Sequence, residues 1–132
     1  EVDLDIAEVA GGFDLRVRSA GGLDAVPFQI ECAFAPGGEL ELEGAVVRAG
    51  AGASVILGRG KAVYRVGTDA ISIGPGALRH RMWEMRNSEP SPDSFRVLIT
   101  LLTPVEHVLE IRCGSWSWAA GGLLPASADT ER

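Results

Sequence analysis

The sequence has no stretch in which apolar residues recur at i, i+3, i+4 and i+7 over a helical length, which excludes a helical bundle. It also lacks any window of eighteen apolar residues, so no helical membrane span is expected. Positive charge is scarce. Twelve Lys and Arg stand against eighteen Asp and Glu, a formal net charge of −6, which argues against sequence-independent binding to nucleic acid phosphates. Histidine is scarcer still: His80 and His107 are the only two, with no H-x-H or H-x-x-x-H spacing. Neither a metal site nor any other cofactor site is therefore expected. The G-x-S-x-G elbow of a serine hydrolase is missing as well, since Gly52-Ala-Ser54 has no closing glycine and Ser54 leads into an apolar run. Gly58-x-Gly60 and Gly74-x-Gly76 read as hairpin turns with no helix behind them, so neither makes a phosphate cradle.

What is present is a core and many turns. Of 132 residues, 46% are hydrophobic and 23% charged, ordinary proportions for one globular domain. Seventeen Gly and seven Pro exceed the usual share and fit short elements joined by tight turns. Period-two alternation runs almost from end to end. Residues 2–6 and 13–18 alternate strictly, the latter with Phe13, Leu15 and Val17 on one face. Residues 26–34 give a longer strand, and Pro36-Gly-Gly38 a turn. In residues 39–43, Leu40 and Leu42 point inward and three Glu outward, the signature of a sheet with one wet face. Residues 54–57, 61–66 and 69–73 follow as strands, and 78–87 is read as a further one. After the Pro- and Ser-rich loop at 87–94, residues 95–102 are apolar enough for a central strand buried on both faces, followed by strands at 107–113 and 115–118. About ten short strands at this spacing predict an all-β fold, an antiparallel β-sandwich or a jelly-roll-like barrel.

The domain is expected to span 1–118, with 119–132 a flexible tail or linker, because periodicity is lost there. A start at Glu1 with no signal-peptide pattern leaves two expectations, a removed leader or, as favoured here, a piece of a larger protein. Cys32 and Cys113 are far from any C-x-x-C spacing. They are either two free buried thiols or one disulfide between distant strands. A bridge favours a secreted or periplasmic protein, and free thiols a cytoplasmic one.

The candidate ligand-binding residues are Trp116, Trp118, Trp83 and His80. On a strand, Trp116 and Trp118 share a face roughly 7 Å apart. Sugars stack on such indole platforms, but paired tryptophans on one strand face more often plug a sandwich core, the reading favoured here. Trp83, near His80 and Arg81, is a second such candidate. The carboxylates of 39–43 read as a solvated face, and no residue is assigned a catalytic role.

Three stretches carry a resemblance: Phe34-Ala-Pro-Gly-Gly-Glu39; Gly60-Lys-Ala-Val-Tyr-Arg-Val-Gly-Thr-Asp-Ala-Ile-Ser-Ile-Gly-Pro-Gly76 with His80; and Leu101-Leu-Thr-Pro-Val-Glu-His-Val-Leu-Glu-Ile111. Together, over roughly 25–113, they resemble the all-β region that follows the helical toroid in heparinase II/III-like polysaccharide lyases and related bacterial proteins. The resemblance implies a supporting β domain with a carbohydrate-related parent. The lyase chemistry of that family is assembled from Tyr, His, Asn and Arg residues, most of them on the helical domain, and none of those motifs is matched here. The expected function is therefore a non-catalytic accessory module, with a saccharide or an adjacent domain of the same polypeptide as partner. The alternatives are a small cupin-like enzyme or small-molecule binder with an interior site, where His80, His107 and nearby Glu residues would converge, and a self-associating domain with tryptophans at a homo-oligomer interface.

Overall fold

The computed structural model describes residues 2–19, 22–81, 93–117 and 122–125, with the backbone alone at 116, 117 and 122–125. The fold is all-β. Among the described residues eleven strands form two sheets that pack face to face, and neither closes into a barrel. The large sheet holds β1 (Val2–Val9), β2 (Gly12–Ser19), β10 (Glu106–Ser117), β8 (Asp69–Gly74), β7 (Ala62–Val66), β4 (Glu39–Leu42) and β5 (Ala45–Arg48) in that order, with β11 (Gly122–Pro125) paired to the end of β10. The small sheet is β3 (Pro27–Phe34), β9 (Phe95–Leu102) and β6 (Ser54–Ile56).

Alternation decides which rows meet. From the large sheet, Val17, Leu109, Ile73, Ala62, Tyr64 and Leu40 turn inward, and from the small sheet Phe95, Val97, Ile99 and Leu101 do. Every one of these is buried, so the interior is a filled apolar layer. The aromatic centre of that layer is a stack. Phe34 of β3 lies 4.7 Å from Tyr64 of β7, and Tyr64 lies 6.2 Å from Phe95 of β9, centroid to centroid. The Tyr64 hydroxyl donates to the Ala35 carbonyl and accepts from Gly38 N–H at 3.0 Å, so the one polar atom in the stack is satisfied.

Strand β9 is buried along both faces, as its apolar composition predicts. On its outer row, Leu98 and Thr100 are fully buried. The chain at 77–80 runs alongside: Thr100 N–H donates to Ala77 O, and Arg79 N–H to Thr100 O.

Four features differ from the sequence reading. The pair β6–β9 is parallel, within a small sheet whose other pair, β3–β9, is antiparallel. Strand β5 was not anticipated. It follows a two-residue Glu43–Gly44 turn with positive φ at both positions (51° and 83°), the backbone that a tight hairpin needs. Residues 115–117 continue β10 without a break, and inside the stretch read as a tail Gly122–Pro125 pair with it as β11. Of the strand expected at 78–87, Leu78 makes one parallel bridge to Thr100, and residues 82–92 lie outside the described part.

Candidate functional site

The residues singled out in the sequence separate in space. Trp83 and Trp118 lie outside the described residues. Trp116 is placed by its backbone only, opposite Leu123 in the β10–β11 pair. His80 sits on the small sheet. Its backbone N–H donates to the Thr100 hydroxyl at 3.3 Å and its Nε2 lies 2.9 Å from the Phe28 carbonyl, so the imidazole ties the 77–80 segment to β3 across β9. His107 belongs to the large sheet, and its Nε2 lies 2.7 Å from the Pro75 carbonyl. Each ring thus engages a backbone carbonyl of a different segment. Among the described residues no group of three or more His, Cys, Asp or Glu is close enough to hold a metal.

Cys32 and Cys113 are both free, the first half-buried and the second exposed. Burial raises the Cys32 thiol above its ordinary pKa, because desolvation disfavours the thiolate. A thiol reagent at pH 8 is therefore expected to modify Cys113 first and Cys32 at least roughly tenfold more slowly. Equal rates in a stopped-flow assay with the Cys113→Ser and Cys32→Ser variants would contradict this packing.

Arg96 and Glu31 pair at 3.2 Å on the small sheet, while a row of charged groups lies on the outward face of the large one, where register explains it. Glu39 stands opposite Arg65 on one side and Arg48 on the other, so three charged residues remote in sequence form one row across β7, β4 and β5. Lys61 and Glu110 pair at 2.9 Å on the same sheet. Arg112 binds Asp14 at 2.8 Å and also donates to the Phe13 carbonyl.

The Glu39 row edges a cleft of about 260 Å³ completed by Gly37, Gly38, Val66 and Gly67. Arg65 is its floor. It is only 6% exposed, yet its Nη2 reaches no closer than 3.7 Å to Glu39 Oε1, a through-space attraction longer than a hydrogen bond. Arg48 and Glu39 are exposed at the rim. Gly38 is required at the wall, because a Cβ there would meet the Tyr64 ring at 2.8 Å and the Val66 Cγ2 at 2.8 Å. The cleft therefore rests on the aromatic stack: the hydroxyl of Tyr64 holds the Gly38 backbone in place, and β7 carries Tyr64 inward and Arg65 outward as neighbours. Two guanidinium groups and one carboxylate offer forked donors beside an acceptor. The sequence reading missed this site. Its glutamates do lie on an outward, exposed face, and nothing local in the sequence marks Arg48 or Arg65 as neighbours of Glu39.

In comparison with known proteins, no family model matches the chain, and neither a curated protein nor a solved structure does.

Proposed function

We propose that this chain is a non-catalytic β-sandwich module, an accessory and carbohydrate-associated domain of a larger bacterial protein, with the Glu39–Arg48–Arg65 cleft as its ligand-binding surface. The observation that carries the reading is that row of charges over a filled core. The interior offers apolar packing, while the outward face offers a small polar recess with a nearly buried arginine as its floor. Saccharides present hydroxyls that donate and accept together, and some present carboxylates. Charge-assisted hydrogen bonds to such groups are roughly twice as strong as neutral ones. The resemblance to the β region of heparinase II/III-like proteins supports the same ligand class. Trp116 and Trp118 extend the proposal as the residues whose indole rings would stack on a sugar ring.

Titration with a panel of neutral and acidic oligosaccharides, followed by amide chemical shifts, tests it. Residues around Glu39, Arg48 and Val66 are expected to shift. Arg48→Ala, a change at an exposed rim position, is expected to weaken binding about tenfold with the melting temperature unchanged, and Trp116→Ala to weaken it comparably. A panel without a single binder, or shifts confined to another face, would sink the reading.

A further inference from the structure

Among the described residues the two sheets are unequal, and the inequality leaves apolar surface uncovered. Strand β1 is one edge of the large sheet, and β3 is the matching edge of the small one. The inward row of β1 extends past β3. Val2, Leu4 and Ile6 are 46%, 62% and 72% exposed, and Phe13, which follows them on β2, is 45% exposed. A groove of about 350 Å³ runs between the two edges, lined mainly by Val2, Leu4, Leu15, Val17, Phe28 and Ile30. Such a groove, between two edges that no other described strand pairs, has both the apolar floor and the backbone that strand addition uses.

The rim is acidic. Asp3 and Asp5 alternate with the apolar row of β1, Glu8 closes that row at its far end beside Phe13, and Glu31 stands on β3, 3.2 Å from Arg96. The existing neighbour of β1 shows what this pattern pairs with. On β2, Leu15 and Val17 face Ile6 and Leu4, while Arg16 and Arg18 face Asp5 and Asp3. A second copy of β1 fits poorly. In an antiparallel pair that keeps both apolar rows on one face, a register centred on Leu4 sets Asp3 against Asp5. A register centred on Asp5 sets that residue against itself, and one centred on Ile6 sets the Glu8 carboxylate against Leu4 within the apolar row. Like charges directly opposite destabilise a strand pair.

We propose that this groove docks an extended segment of another polypeptide in which apolar residues alternate with Lys or Arg. Its apolar side chains enter the groove against Leu4, Ile6 and Phe28, and its basic ones lie along the acidic rim. The net charge of −6 steers a cationic segment toward the molecule, so association falls as salt rises.

The test is titration calorimetry with three synthetic ten-residue peptides: alternating Val and Lys, alternating Val and Glu, and the Val/Lys composition rearranged in two blocks. The alternating Val/Lys peptide is expected to bind at least tenfold more tightly than the other two, and more weakly at high salt. Ile6→Asp and Leu4→Ser, at positions already exposed, are expected to reduce that binding tenfold or more with the melting temperature unchanged. Equal binding of the three peptides, or none, overturns the proposal. So does a concentration-dependent dimer in sedimentation that Ile6→Asp abolishes, because the groove would then belong to a second copy.

Discussion

Truncating Phe95 to alanine is expected to lower the stability of the domain by about 3–5 kcal/mol, the usual cost of cutting a buried aromatic to Ala. Phe95 is fully buried at the start of β9, opposite Phe34 in the small sheet and stacked on Tyr64 from the large one. Its removal leaves a cavity bounded by strands on both sides, which cannot close without shifting the sheets. It also ends one aromatic contact, worth about 0.5–1.5 kcal/mol beyond the area buried. The two losses overlap, so the sum is not taken. In a thermal melt the expected shift is roughly 10–25 °C for a domain of this size. Phe13→Ala is the control, since Phe13 is half exposed on β2 and should cost about 1 kcal/mol or less. If Phe95→Ala melts within a degree or two of the wild type, the aromatic stack is not what joins the sheets.

That stack also explains which parts of the molecule were legible beforehand. Strict alternation at Phe13, Leu15 and Val17, and at Leu40 and Leu42, reveals strands and their inward faces, because burial on one side imposes a period of two. The unbroken apolar run of β9 reveals a strand covered on both faces for the same reason. Strand β5 escaped because Ala45–Arg48 is short and its turn is Glu–Gly rather than the stronger Asn–Gly or Asp–Gly signal. The charged cleft escaped for a different reason. Glu39, Arg48 and Arg65 become neighbours only through the order β7–β4–β5, and strand order is not a local property of the chain. The apolar groove was illegible too. Alternation correctly turns Leu4 and Ile6 toward the sandwich, but whether anything faces them depends on how many strands the opposite sheet has. Pattern predicts direction; partner count decides burial.

The sharpest single-atom test lies where β2 meets β10. Gly12→Ala is expected to destabilise the domain by about 3 kcal/mol or more, at the upper end of what overpacking costs. The reason is not conformational freedom, since Gly12 does not sit at positive φ. It is close approach. A Cβ at Gly12 would run into the Ile111 carbonyl oxygen, and would also stand 2.9 Å from the Ile111 carbonyl carbon and 3.0 Å from Arg112 Cα. All three obstacles are backbone, so no side chain can swing aside. The two strands must separate where Gly12 pairs with Arg112, at the end of a ladder that runs to Arg18 and Glu106. The hairpin β1–β2 joins the sheet through that ladder, so its loosening also releases the edge that carries Leu4 and Ile6. Gly44→Ala separates the two kinds of glycine requirement. Gly44 has positive φ (83°) and nothing within 4 Å of its Cβ position, so only backbone strain of about 1–2 kcal/mol is expected there. Urea unfolding of both variants gives the comparison directly, with the Gly12 midpoint falling well below that of Gly44. A Gly12→Ala protein as stable as Gly44→Ala would mean that β2 and β10 are not in the close register described.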